Sequence, residues 1–108
     1  MSDELLSSLA IRHHFGAGTY VKETRIRAGY ALTQHKHTFD HLAILGSGEA
    51  AVIVSGDVKL LRAPCVMNIR ANVQHRVEAI TDCTWFCIHA TEERDVTKID
   101  KLLISPVR

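Results

Sequence analysis

The sequence predicts an all-β domain, either a sandwich or a barrel. Short apolar or alternating runs of about five residues recur along the chain, and turn signals separate them at intervals of about eight to twelve residues. Few of the connections are long enough for a crossover helix, so antiparallel pairing is expected. The chain has 108 residues, which fits one domain over residues 1–108 with a core over about 19–90.

The pattern predicts roughly eight strands. They cover 19–26, a run from Tyr30 towards His35, 41–45, 49–54, 58–62, 65–69, 73–80 and 83–90. Gly46-Ser47-Gly48 predicts a hairpin, Thr81-Asp82 predicts another, and Ser55-Gly56-Asp57 is a further turn signal. Short helices are predicted at both ends, over 3–11 and over 95–104, where they would cover the barrel.

The composition excludes several classes of partner. Thirteen Lys and Arg residues balance twelve Asp and Glu residues, and no stretch gathers more than two basic residues, so nucleic acid and anionic membranes are not expected as partners. The apolar runs are shorter than the roughly 20 residues of a membrane span, and the first residues lack the features of a secretory signal. We therefore expect a cytoplasmic protein, in which Cys65, Cys83 and Cys87 are buried reduced thiols.

Four of the seven histidines form a pattern that favours metal binding. His35 and His37 are two residues apart, which on a strand places both side chains on the same face. His41 follows after a short bend, and His75 opens a later strand. A lone histidine is more often a hydrogen-bonded core or surface residue, but several imidazoles inside one small barrel would repel on protonation or leave nitrogens unpaired. A divalent metal ion bound by all four would remove this cost.

The same residues resemble the first sequence motif of the cupin superfamily, G-x5-HxH-x3-E-x6-G. The spacing is matched at each position by Gly29, His35, His37, His41 and Gly48, with His41 where the superfamily usually has glutamate. The second motif, G-x5-P-x-G-x2-H-x3-N, is matched by its histidine alone, at His75. Its other positions hold Pro64, Arg70, Asn72 and Ala79. Asn72 is a tolerable replacement for glycine because Asn enters left-handed conformations more readily than most residues.

The resemblance covers about residues 29–90. It implies a cupin-like jelly-roll β-barrel of six to eight strands, with short terminal helices or extensions, with one metal inside and usually in a homodimer. The implied ligands are His35, His37, His41 and His75. An all-histidine set is neutral and leaves two positions open on an ion that favours six ligands, and the identity of the ion stays open among Mn, Fe, Ni, Cu and Zn.

The last predicted strand offers residues beyond the ligands. In the small cupins that the chain resembles, alternate residues of this strand face the pocket, and the register from His75 favours Cys83, Trp85, Cys87 and His89. We therefore predict Trp85, Cys87 and His89 as pocket residues, with ordinary core packing as the alternative for each. His13 and His14 have no partner spacing and are predicted at the surface.

Three functions are compatible with this site. The first is a metal-dependent oxidoreductase of the dioxygenase type that acts on a small oxygen-bearing substrate. The second is a non-redox isomerase or lyase acting on a sugar acid. It needs a general base, for which the candidates are His89 and the inward-facing thiols, with Tyr20 or Tyr30 if they also face inward. The third is a module that binds or senses a small molecule. The fold alone does not choose among them, because one fold supports many chemistries.

Overall fold

The computed structural model describes residues 9–33 and 38–98. Nine β-strands account for most of these residues. They are β1 (Leu9–Gly16), β2 (Thr19–Ile26), β3 (Ala31–Thr33), β4 (His41–Ser47), β5 (Glu49–Val54), β6 (Asp57–Arg62), β7 (Cys65–Ile69), β8 (His75–Ala79) and β9 (Cys83–Ala90). Buried and more exposed residues alternate along β8 and β9, as expected of strands with one face in a core.

The strands form two antiparallel sheets that pack face to face. One sheet has five strands in the order β1-β2-β9-β4-β7, and the other has four in the order β3-β8-β5-β6. Buried residues of both sheets form one hydrophobic core, and the largest of its fully buried side chains is Trp85. The core residues are Ile26, Ala43, Leu45, Ala50, Val52, Ile69, Val77, Ala79, Cys83, Trp85 and Cys87. The predicted all-β jelly-roll barrel is confirmed.

The sequence pattern locates most of these strands. β2, β5, β7 and β9 have the predicted bounds. β4 and β6 are longer than predicted by two and one residues at one end, and β8 is shorter than predicted at both ends. β1 is not predicted, because its sequence, LAIRHHFG, mixes apolar, basic and histidine residues without a clear period of two. It pairs along its whole length with β2, so tertiary pairing rather than local preference stabilises it.

The two predicted terminal helices have different outcomes. The first is wrong at residues 9–11, which belong to β1, because apolar residues at positions 9 and 11 also fit the period of a strand; residues 3–8 lie outside the described part. In the second, residues 96–98 form a helical turn, and residues 99–104 lie outside the described part. No helix within the described ranges has the length and apolar character needed to cross a membrane.

Both predicted hairpins are corners between the sheets instead. β4 and β5 lie in different sheets, and so do β8 and β9. Gly48 has a φ of +86°, and a Cβ there would collide with the carbonyl oxygen of Asp82 in the other corner. The backbone N–H groups of Ile80 and Thr81 donate to the carbonyl of Glu49 at 2.9 and 3.2 Å. The corners therefore pack against each other, a contact that a local turn signal cannot reveal.

Replacing Gly48 by alanine should destabilise the protein by more than about 2 kcal/mol, because a left-handed φ alone costs a non-glycine residue roughly 1–2 kcal/mol and the collision with Asp82 adds to it. Gly56→Ala is the matched control, since Gly56 has a φ of +85° but open space around its Cβ position. Urea unfolding of both variants measures the difference. Equal losses of stability would contradict the packed corner.

Candidate functional site

Two of the four predicted metal ligands meet inside the barrel. His41 begins β4 in the five-stranded sheet, and His75 begins β8 in the four-stranded sheet. Their ring centroids are 6.2 Å apart and their planes are tilted by 40°. Only 5% of His41 and 2% of His75 is exposed. Each sheet therefore contributes one buried imidazole to the same region.

A hydrogen bond ties together the two segments that lead into these histidines. The backbone N–H of Ala71 donates to Oδ1 of Asp40 at 2.7 Å. Asp40 directly precedes His41, and Ala71 lies in the turn before His75. The next residue of that turn, Asn72, has a φ of +61°, as its predicted replacement of glycine requires. The bond links the segments that lead into β4 and β8, which lie in different sheets.

The ring of His75 is buried, and its two nitrogens have little opportunity for hydrogen bonding. No described residue makes a hydrogen bond of standard length and angle to either ring nitrogen. Burial lowers the pKa of His75 below its ordinary value, and the backbone of Val73 offsets only part of this effect. The imidazole is therefore neutral at neutral pH, which is the form that binds a metal ion. A buried neutral imidazole of this kind fits a metal ligand.

His35 and His37 lie outside the described residues, so their role remains a prediction. Within residues 9–33 and 38–98, no group of three or more His, Cys, Asp or Glu side chains could hold a metal ion. Of the predicted ligands, the structure brings His41 and His75 together, and a site of four would also need the two histidines that the sequence places just before β4.

A row of rings leads from His41 towards the surface. The ring centroids of His41 and His89 are 4.4 Å apart, and Tyr20 stacks on His89 at 6.0 Å with an angle of 18° between the planes. The Tyr20 hydroxyl lies 2.8 Å from Nδ1 of His13, which is exposed as predicted. The contact of His13 with Tyr20 could not be predicted, because it depends on the pairing of β1 with β2. The position of Tyr20 beside His89 follows from the pairing of β2 with β9, a tertiary contact that the sequence pattern of β2 does not indicate.

Trp85 and Cys87 face inward, as the predicted register requires. Their exposed fractions are 0% and 1%, and both belong to the hydrophobic core. Neither is among the described residues that line the cavity beside His75. This placement favours core packing for both, and contact with a ligand stays a prediction.

A cavity of about 480 Å³ opens beside His75. Its volume lies in the range of small-molecule pockets, roughly 300–1,000 Å³. The walls come from β5, β6, β7 and the turn before β8. Apolar side chains form much of the lining, namely Val52, Val54, Met67, Ile69 and Val73. The cavity could therefore hold a small molecule with one end at His75.

The metal-free protein should lose stability as the pH falls below about 7. The unfolded chain takes up a proton on His75 near its ordinary pKa of about 6.5, whereas the folded chain, in which that pKa is lowered, stays neutral. Acid therefore favours unfolding until the pH reaches the lowered folded pKa. His75→Leu should weaken this dependence, and His14→Gln, at an exposed position, should retain it. Urea midpoints across this pH interval with a chelator present provide the test, and equal slopes for wild type and His75→Leu would contradict it.

Comparisons with known proteins place the fold. No protein-family model matches the sequence, and no curated protein matches it. Solved structures do match. Salicylate 1,2-dioxygenase from Pseudaminobacter salicylatoxidans has a TM-score of 0.72 at 13% identity, over 89% of this chain and 29% of its own. A cupin superfamily protein from Desulfitobacterium hafniense has a TM-score of 0.67 at 13% identity, over 77% of each chain.

A protein from Photorhabdus luminescens is similar over a larger share of both chains than the Desulfitobacterium hafniense protein is. It has a TM-score of 0.69 at 15% identity, over 88% of this chain and 85% of its own. This chain spans less than a third of the dioxygenase but most of the two smaller proteins. The likeness therefore extends over a whole small barrel, and the fold of this chain is that of the cupin superfamily.

Proposed function

We propose that the chain binds one divalent transition metal through His35, His37, His41 and His75 and acts as a metal-dependent oxidoreductase of the dioxygenase type. The observation that carries the proposal is the pair of buried imidazoles from opposite sheets, His41 and His75, of which His75 lines a cavity of ligand size. The substrate is a small oxygen-bearing molecule. The structures of salicylate 1,2-dioxygenase, one of them an adduct with gentisate, support the dioxygenase class through the shared fold.

The metal would supply Lewis acidity and, for Mn, Fe, Ni or Cu, redox chemistry with dioxygen and substrate at the positions that four histidines leave open. The protein supplies the rest. His75 presents a neutral ring because burial lowers its pKa, so no proton has to be displaced from it at neutral pH. The apolar part of the cavity lining, which includes Val52 and Ile69, would pack against the hydrocarbon part of a substrate.

His89 is placed to orient His41. Their ring centroids are 4.4 Å apart, and His89 is itself stacked on Tyr20. A ligand histidine commonly depends on neighbouring groups that fix its ring orientation and tautomer. We assign to His89 this role of orienting His41. In a non-redox reaction, His89 would instead have to transfer a proton.

The non-redox alternative remains testable. An isomerase or lyase needs a proton-transfer group facing the substrate, and among the described residues of the cavity Asp57 is the carboxylate that could supply one. Such an enzyme turns over without oxygen. A binding or sensing module would take up a ligand with no turnover at all.

Replacing His41 or His75 by alanine should each lower metal affinity at least tenfold, because each removes a donor from the buried site. His14→Ala is the matched control, since this histidine lies on β1 and half of its side chain is exposed. Elemental analysis of protein purified without an affinity tag, together with Co²⁺ titration of the stripped protein, measures binding. Oxygen uptake on the same samples tests the reaction class with diketone, diol and thiol substrates.

Metal content that is equal in the wild type and in both site variants would refute the metal site. Metal binding with turnover that continues without oxygen would refute the dioxygenase class and favour the isomerase or lyase. Metal binding without any turnover would favour the binding module.

We also propose a homodimer, the state that the resemblance implies. Leu42 on β4 and Val66 on β7 are 48% and 62% exposed and lie on the outer face of the five-stranded sheet, where a second copy would bury them. Sedimentation at micromolar concentration should give twice the mass of the chain, and Leu42→Lys should shift it towards the monomer. Val58→Lys, on the other sheet, is the control. A monomeric wild type would contradict the dimer.

A cytoplasmic location and a lack of nucleic-acid partners stay predictions from the composition.

A further inference from the structure

The cavity beside His75 lies where the two sheets are open to each other. β6 is the last strand of the four-stranded sheet, and β7 is the last strand of the five-stranded sheet. Residues of both edge strands line the cavity, and no described strand pairs with the free edge of either. The opening between them connects solvent to the cavity that His75 lines. The side chains of the two edge strands therefore determine which small molecules can enter the cavity.

Lys59 faces inward on β6. It is paired with Val52 of β5, which is a fully buried core residue. Residues directly opposite each other on neighbouring strands share a face of the sheet. Lys59 is therefore on the same face as Val52, and both line the cavity. Lys59 as a whole is exposed, so its apolar stem can extend the wall while its ammonium group remains in contact with solvent.

Arg70 supplies a second cation from the opposite sheet. It directly follows Ile69, the buried last residue of β7, and lines the same cavity as Lys59. Neither Lys59 nor Arg70 forms an ion pair with any residue in the described ranges. Asp57 is the acidic residue of this lining. The lining thus carries one more positive than negative charge, and both cations are available to a ligand.

We propose that this cavity selects small organic acids, with the substrate carboxylate between Lys59 and Arg70 and the body of the molecule reaching towards His75. The apolar wall from Val52, Met67 and Ile69 suits the hydrocarbon part of such a molecule. A guanidinium group binds a carboxylate through two parallel hydrogen bonds, and an ammonium group adds a point charge. The assignment rests on the proposed function, because it names the substrate class of the same site.

A structural role for Lys59 is the competing explanation. Inward-pointing charges on edge strands protect them from pairing with other chains. This role would need neither Arg70 nor a cavity, and it would give no preference for anions. The two explanations therefore differ in what happens to ligand binding when each charge is removed.

The test compares benzoate with benzamide, which have the same shape but differ in charge, by titration calorimetry on the full chain. We expect benzoate to bind at least tenfold more tightly. Lys59→Met and Arg70→Met should each weaken benzoate binding about tenfold, as the loss of a charge-assisted hydrogen bond predicts, and leave benzamide binding unchanged. Asp57→Asn should strengthen benzoate binding, a change of opposite sign that loss of folding cannot produce. Arg12→Gln, an exposed cation outside the cavity, is the control.

Each measurement is made on the Zn²⁺-loaded and on the chelator-treated protein, so that binding to the ion is separated from binding to the cations. Equal affinities for benzoate and benzamide in both forms, or full benzoate affinity in Lys59→Met and Arg70→Met, would overturn the proposal. Tighter binding of phenyl phosphate than of benzoate would overturn the carboxylate assignment. If His75→Ala retains metal but the charge variants behave as expected, the proposed metal site fails while the organic-acid cavity stands. If His75→Ala loses metal but Lys59→Met and Arg70→Met keep full benzoate affinity, the organic-acid cavity fails while the metal site stands.

Discussion

Two imidazole rings buried between facing sheets are the constraint on which the rest of this site depends. A buried polar group without a good hydrogen bond costs about 1–3 kcal/mol, and His75 has no bond of standard geometry to either ring nitrogen among the described residues. A domain of this size has a total stability of about 5–15 kcal/mol. A metal ion bound at the proposed site would offset this cost, because the ring nitrogen would gain a partner.

The inward-facing side chains change along the strands from apolar at one end of the barrel to polar at the other. In β9 the inward residues run from Cys83 through Trp85 and Cys87 to His89. β2 is antiparallel to β9, so its inward residues run the other way, and Tyr20 pairs with His89. On the opposite sheet, His75 pairs with Val54 at the same end. Aromatic and aliphatic packing therefore stabilises one half of the barrel, while the other half can hold imidazoles.

Much of this arrangement could be predicted from the sequence, and the limits have physical causes. The spacing of the histidines and the alternation in β9 predict that His41 and His75 open strands and that His89 faces inward, because these depend on local geometry. The partner of each strand is a tertiary property. The sequence around Gly48 is compatible with a hairpin within one sheet and with a corner between two sheets. In the structure it is a corner, packed against the backbone of Asp82, and this contact is not visible in the local sequence. The same holds for β1, whose pairing with β2 brings His13 to Tyr20.

Cys83 connects the two corners at the end of the barrel opposite the histidines. Its thiol donates to the carbonyl oxygens of Glu49 and Thr81 at 3.0 and 3.1 Å, and burial raises the pKa of Cys83, so it stays a protonated donor instead of a reactive thiolate. This contact fastens the start of β9 to the start of β5 at the apolar end. His89 and Val54 lie at the opposite ends of the same two strands. The geometry of rings contributed by two sheets depends on how the sheets are held together, and the packed corners hold them together at a distance from the predicted ligands.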